Sequence, residues 1–147
     1  MKVLLQKVTQ ASVTVDDQIV GSIGSGYLLF LGVVDGDTEE QGQWLAEKIT
    51  KLRLFVGADQ KMNDRSLLDV AGDILVISQF TLAADLSKGS RPDFTAAADP
   101  TVAEPLYEAF VDQLQTLGVQ RVETGKFGAM MAVSLVNDGP CTLLLEK

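Results

Sequence analysis

The 147 residues, 46% of them hydrophobic, suffice for one compact domain that buries about two thirds of its unfolded surface and leave no room for a second. A net charge of −8 and a pI near 4.4 exclude a global positive field that would gather nucleic acid nonspecifically, so any RNA contact is expected to be local. With no histidine and one cysteine, the chain cannot build Ser-His-Asp or Cys-His nucleophile systems, histidine-based zinc sites, an internal disulfide or a paired-cysteine motif.

Residues 1–10 carry Lys2, Gln6 and Lys7 and lack a long apolar core, so they do not read as a signal peptide. The longest apolar stretch, 26–34, is too short to span a bilayer. The expectation is a cytoplasmic protein with no membrane association, no metal and no cofactor. Residues 3–9, 12–15 and 19–23 read as three short antiparallel strands, with Asp16-Asp17 as a turn. The apolar run 27–34 predicts a strand buried on both faces. A helix follows from Thr38 to near Arg53, capped by Asp37 or Thr38, with Trp44, Leu45, Ile49 and Leu52 on its buried face. Residues 54–56 read as strand, 57–61 as turn, and 73–81 as a buried strand with a polar end. The aperiodic stretch 82–99 is expected to be a functional loop. Asp99-Pro100 opens a helix whose buried face holds Val102, Leu106, Phe110, Leu114 and Leu117, stopped by Gly118. Because Pro105 lacks an amide hydrogen, the regular helix is expected to begin only near Ala103. Residues 119–123, 129–136 and 141–145 read as strands, the last two joined by a turn at Asn137-Asp138-Gly139-Pro140.

Several motifs have ordinary explanations. The glycines of 21–26 fit a hairpin, since their spacing matches no phosphate-binding loop. Asp35, Asp37, Glu39 and Glu40 fit helix capping, since the glycine and distal glutamate of a calcium loop are missing. Cys141 reads as a small, buried side chain with no base to activate it. At the end of the 73–81 strand, alternation sends Ser78 and Phe80 one way and Gln79 and Thr81 the other. On spacing alone this is a strand cap as much as a catalytic site. A Gly-Pro directly before a strand is unusual, and since only about 5–6% of X-Pro bonds in folded proteins are cis, the residues alone favour trans.

SQFTL at 78–82 and NDGPCT at 137–142 resemble the two sequence motifs of the D-aminoacyl-tRNA deacylase family. The likeness continues in family order through Gln6-Lys7-Val8-Thr9, Ala11-Ser12-Val13, Lys61-Met62-Asn63, Lys88-Gly89, Arg91-Pro92 and Ser134-Leu135-Val136-Asn137, and so covers essentially the whole chain. Cys141 occupies a variable position of the second motif, and Pro105 interrupts a helix usually free of proline.

The resemblance implies an α/β (α+β) fold: β-barrel-like, of curved, mainly antiparallel sheets flanked by two main helices, in a homodimer with active sites at the subunit interface. It implies hydrolysis of the ester of D-aminoacyl-tRNA, and of glycyl-tRNA, at the terminal adenosine. A Gly-cis-Pro formed by Gly139 and Pro140 would enter the partner's pocket and exclude L side chains by shape. Ser78, Gln79, Phe80 and Thr81 would form the catalytic group, and Asn137, Met130 and Phe127 the substrate pocket. Without histidine, the family scheme that fits is RNA-assisted: the terminal 2′-hydroxyl helps activate water while amides around Phe80 and Thr81 hold the oxyanion. Thr81 as covalent nucleophile is the rival, weakened by the lack of a base. In this scheme Ser78 and Gln79 shape the pocket and Phe80 packs. Lys88, Arg91, Lys126, Lys48 and Lys51 are candidate phosphate contacts, or solvated salt-bridge partners, and Phe94 or Phe127 a platform for the adenine. The alternatives are a noncatalytic homodimer that binds aminoacyl-adenosine or a similar small ligand, and a purely structural dimer.

Overall fold

The computed structural model describes residues 1–87 and 89–147. In chain order these form β1 (Lys2–Val15), β2 (Gln18–Ile23), β3 (Gly26–Gly32), α1 (Glu39–Lys51), β4 (Arg53–Phe55), β5 (Arg65–Ser66), β6 (Asp73–Ser78), α2 (Pro100–Thr116), β7 (Val122–Thr124) and β8 (Ala132–Glu146). Short 3-10 turns occupy Leu68–Val70 and Phe80–Ala83.

β1 is the spine of the main sheet. Its first half pairs antiparallel with β3, its second half with β2, and its other edge with β8. From β3 the sheet continues through parallel β6 and β7. It then curls until β2 nearly meets β7: a Cβ on Gly21 would stand 2.6 Å from the Thr124 carbonyl oxygen, and Arg121 donates to the Ser22 carbonyl at 2.7 Å. Only a residue without a side chain permits that approach. The result is a nearly closed, barrel-like sheet. β4 and β5 pair separately.

Strand alternation divides the core between the two faces of this sheet. Tyr27, Leu29, Leu31, Ile74 and Val76 pack with Leu45 and Ile49 of α1 and Phe110 and Leu114 of α2. Leu28, Leu75 and Ile77 face the inside of the curl with Val8, Ala11, Val13 and Ile23. β3 is therefore buried on both sides, as its unbroken apolar run predicts.

The expected strands 3–9 and 12–15 are one strand. Register shifts against β8 on either side of Val8 bring Lys7 and Val8 both into buried positions, so the apolar phase passes from the helical face to the inner face without a break in the chain. The expected turn at 137–140 is likewise absent as a turn: Asn137 pairs with Val8 and Thr142 with Gln6, so both flanks bond the same neighbour and the intervening residues form a bulge within β8. The strand expected over 73–81 stops at Ser78, where the chain winds into the 3-10 turn.

Both long helices exist, with differences in detail. Thr38 caps α1, its amide donating to the Gln41 side chain at 2.9 Å. Asp37 instead accepts from the Val34 amide and the Met1 ammonium. Trp44 stands at 42% exposure rather than in the core, beside the Lys147 ammonium. α2 begins at Pro100, not Ala103: Asp99 accepts from the Thr101 amide at 2.9 Å, and Pro105 lies on the exposed face of the helix. There Pro105 forgoes only the bond to the Thr101 carbonyl. The buried stripe of α2 is Ala103, Tyr107, Phe110 and Leu114, one position round from the expected Val102 and Leu106. Gly118, at φ +100, follows the last turn as expected.

Candidate active site at the carboxyl edge of β6

β3, β6 and β7 run parallel and deliver their carboxyl ends to one edge of the sheet. Ser78, the last residue of β6, pairs with Leu31, and the Gln79 amide donates to the Leu31 carbonyl at 2.8 Å. The chain then turns sharply, so alternation does not govern the next three side chains. Gln79 donates through Nε2 to the exposed Thr81 hydroxyl. As the first residues of a 3-10 turn, Phe80 and Thr81 have no preceding carbonyl in register. Among the described residues neither main-chain amide has an acceptor. Two adjacent amides without acceptors among the described residues, beside an exposed hydroxyl, are a donor pair of the kind a developing oxyanion can use.

Phe80, expected to pack, is 59% exposed because the turn lifts it off the sheet. Its partner is Phe94, edge-on at 5.2 Å between centroids. Phe94 is brought there by the expected functional loop, pinched by reciprocal main-chain bonds between Asp85 and Asp93 at 2.8 and 3.0 Å and joined to the sheet edge by a bridge between Ala97 and Val34. Hydrogen bonds from Ser87 hold the Asp85 carboxyl below its usual range. Arg91 is exposed on this loop; Lys88 lies outside the described residues.

The turn after β7 emerges at the same edge and carries Lys126, Phe127 and Met130. Lys126 is exposed and Met130 is 93% exposed. Phe127 is half-buried against Tyr107, 5.8 Å between centroids. Lys48 and Lys51 lie in the last turn of α1, where Lys51 pairs with Glu47.

The second motif lies elsewhere. The Gly139–Pro140 peptide is cis, which reverses the trans expectation from residues alone and agrees with the resemblance. From the Gly26–Asp73 level of the sheet, which the bulge flanks, to the Leu31–Ser78 level is five residues, about 16 Å at ~3.3 Å each, and three strand spacings separate β8 from β6, so the two motifs of one chain stand roughly 20 Å apart. Asn137, expected in the substrate pocket, ties the bulge to its surroundings: its Nδ2 donates to the Lys7 carbonyl at 2.9 Å and the Cys141 carbonyl at 3.0 Å. Sequence reading missed Lys7. Its ammonium, almost buried, pairs with Asp138 at 2.8 Å and lies 5.0 Å over the Phe55 ring. A polar residue where an apolar alternation should continue was the available signal. Lys7 and Asp138 line an open cavity of about 550 Å³ with Phe55, Val56, Val70 and Asp73. Burial pushes the half-buried Cys141 thiol up, against any nucleophilic role. Among the described residues no group of three or more acidic or sulfur side chains could hold a metal ion, and no helix is long and apolar enough to cross a membrane.

A curled, barrel-like sheet with two flanking helices and a pair of main-chain donors at the end of a parallel strand is an arrangement suited to an ester hydrolase. The D-Tyr-tRNA(Tyr) deacylase family model matches residues 4–146, and the chain belongs to that family. It is 58% identical to the D-aminoacyl-tRNA deacylase of an Exiguobacterium species, covering 100% of this chain and 99% of the relative. It is 57% identical to that of Exiguobacterium sibiricum, covering 100% of both, and 53% identical to that of Roseiflexus castenholzii, covering 100% and 92%. Among solved structures it resembles a c-Myc DNA unwinding element binding protein, with TM-score 0.94 and 39% identity, covering 100% of this chain and 99% of that one. A probable eukaryotic D-amino acid tRNA deacylase shares the fold, with TM-score 0.84 and 21% identity over 98% and 97% of the two chains.

Proposed function

We propose that this chain, a single domain over residues 1–147, works in the cytoplasm as a homodimer that hydrolyses D-aminoacyl-tRNA, and glycyl-tRNA, at the ester on the 3′-terminal adenosine. The observation that carries the reading is the pair of amides of Phe80 and Thr81, without an acceptor among the described residues, at an exposed strand end. Water adds to the ester carbonyl, the negative oxygen settles on those amides, and the carbon–oxygen bond to the ribose breaks as the ribose oxygen takes a proton. The products are the free amino acid and tRNA with its hydroxyl restored.

Thr81 as nucleophile needs a base. Its hydroxyl oxygen accepts from Gln79, a donor that cannot take a proton, and the chain holds no histidine. This supports the RNA-assisted scheme, in which the neighbouring 2′-hydroxyl of the substrate helps activate water. Ser78 and Gln79 shape the turn, Met130 contributes to the pocket, and the exposed Phe80–Phe94 pair offers the adenine a platform. Arg91, Lys126 and Lys88 supply phosphate contacts at the same edge.

Gly139 and Pro140 exclude L side chains from the partner's site. A separation of roughly 20 Å, set by strand rise and spacing, keeps them from their own chain's donor pair. Leu144, 64% exposed on the β8 edge, is apolar surface that a second copy would cover. The test is hydrolysis of D-tyrosyl-tRNA and L-tyrosyl-tRNA at catalytic protein amounts, with tRNA ending in 2′-deoxyadenosine as a further substrate. Selective release of the D form, abolished by the deoxy end, is expected. Binding without turnover would replace the enzyme with a noncatalytic ligand-binding dimer, and full activity on the deoxy substrate would defeat RNA assistance.

A further inference from the structure

The bulge that carries Gly139 and Pro140 has no packed bed. Both residues are exposed, and the side toward the chain's own body opens on the cavity lined by Lys7, Phe55, Asp73 and Asp138. Apolar packing therefore does not fix its position. Polar ties do. One nitrogen of Asn137 donates to the Cys141 carbonyl, closing the neck of the bulge, and to the Lys7 carbonyl on β1, fastening that neck to the sheet. The Lys7 ammonium grips Asp138, the residue before the glycine. One lysine thus anchors the bulge twice, through its main chain and through its side chain.

We infer that Asn137 is a positioning residue for stereochemical selection, acting through the pose of Gly139 and Pro140 rather than by touching substrate, with the Lys7–Asp138 pair as the second tie. The inference rests on the reading above that this bulge rejects L-aminoacyl esters. Exclusion by shape works only while the excluding atoms stay put, and a shift of about 1 Å is enough to spoil such a fit. Losing both Asn137 donors raises the population of displaced poses about tenfold or more, as the loss of two hydrogen bonds would. Asn137 bonds the bulge and β1 and not the donor pair of Phe80 and Thr81, so hydrolysis of the D ester, which needs the donors and not the exclusion, continues without it.

The test measures kcat/KM for D-tyrosyl-tRNA and L-tyrosyl-tRNA with the full-length homodimer in four forms: wild type, Asn137→Ala, Asn137→Asp and Pro140→Ala. Aspartate keeps the outline of asparagine and removes both donated hydrogens, so Asn137→Asp separates loss of the ties from a change of shape. Both Asn137 variants are expected to lower the D-to-L ratio about tenfold, mainly by faster L hydrolysis, while the D value moves by less than about threefold. An unaltered ratio in both, with the ratio lost in Pro140→Ala, overturns the inference and leaves the bulge reading standing. An unaltered ratio in Pro140→Ala as well defeats the bulge reading itself. Parallel loss of both activities in the Asn137 variants, in folded dimers of normal thermal midpoint, also overturns the inference. Should neither Asn137 variant fold, Asp138→Asn loosens the second tie alone, and an unaltered ratio there has the same meaning.

Discussion

Tyr107 donates its phenol hydrogen to the main-chain oxygen of Val76 at 2.9 Å, in a buried contact that ties α2 to the middle of β6. The same carbonyl accepts from the Gly125 amide at 3.1 Å, so Tyr107→Phe leaves no orphaned acceptor. The expected cost is therefore about 1 kcal/mol, the net worth of one hydrogen bond, and not the larger penalty of an unsatisfied buried group. Urea unfolding of the variant reads this directly, and a loss well above ~2 kcal/mol, beyond the usual worth of such a bond, would contradict it.

Burial raises the phenol pKa of both tyrosines, Tyr27 and Tyr107. A phenol whose folded pKa lies above its unfolded value of about 10 stays protonated in the native state after the unfolded chain has begun to ionise. Its stabilising contribution is complete below pH ~10 and is lost as pH rises from there toward the folded pKa. Ultraviolet titration of phenolate is expected to show no ionisation of the native protein near pH ~10, with release of both tyrosines on unfolding. Titration at the ordinary phenol value in the folded state would refute the burial argument.

The curl of the sheet makes a contrast between two nearby glycines. A Cβ on Gly21 would meet the Thr124 carbonyl at 2.6 Å, main chain that cannot step aside, whereas one on Gly24 would find nothing nearer than the Asp73 side chain at 4.0 Å. Gly21→Ala is expected to cost about 1–3 kcal/mol through overpacking, while Gly24→Ala is neutral or slightly stabilising. Thermal midpoints of the two variants side by side decide this, and equal effects would mean that β2 and β7 do not close on one another.

How far the sequence exposed this arrangement can be read from individual residues. The run 27–34 announced a strand buried on two faces, and Asp99 before Pro100 announced a helix start, because both signals are local. Gln10 and Ala11 read as a break between strands because apolar phase changes there, and a bulge changes phase without ending the strand. The same blindness turned 137–140 into a hairpin turn: which neighbour each flank bonds is a property of β1, far away in sequence. Ser78, Gln79 and Thr81 are visible as polar residues at a strand end, but the amides of Phe80 and Thr81 are not, since main-chain donors leave no mark on composition. Lys7 and the clamp by Asn137 depend on contacts across about 130 positions and had no local trace beyond a charge in an apolar alternation.

The Lys7 side chain is about 10% exposed and that of Asp138 about 43%, so the two variants that break this pair are unequal. Asp138→Ala strands a nearly buried ammonium over the Phe55 ring and is expected to cost about 1–2 kcal/mol after allowing for solvent at the carboxylate. Lys7→Met keeps the apolar stem on Phe55 and leaves behind a carboxylate that water can reach. The double variant should therefore be more stable than Asp138→Ala alone. Chemical denaturation of the single and double variants provides the cycle, and a double variant no more stable than Asp138→Ala would show that the ammonium needs no partner.

Assignment of Gly139 and Pro140 to the neighbouring protomer's site predicts the behaviour of a mixed dimer. Phe80→Pro removes one amide of the donor pair at the first position of a 3-10 turn, where proline is tolerated, and its homodimer is expected to lose about two orders of magnitude in kcat. The Pro140→Ala homodimer keeps its donor pairs and is expected to hydrolyse both enantiomers. In a heterodimer of the two, the intact donor pair belongs to the Pro140→Ala chain, while the intact bulge belongs to the Phe80→Pro chain. If the bulge serves the partner, the one working site is selective for the D ester and runs at about half the activity of the wild-type dimer, one of two sites remaining. If each bulge served its own chain, that same site would accept L-tyrosyl-tRNA. Co-expression with two different affinity tags isolates the mixed species, and its D-to-L ratio decides between the two arrangements.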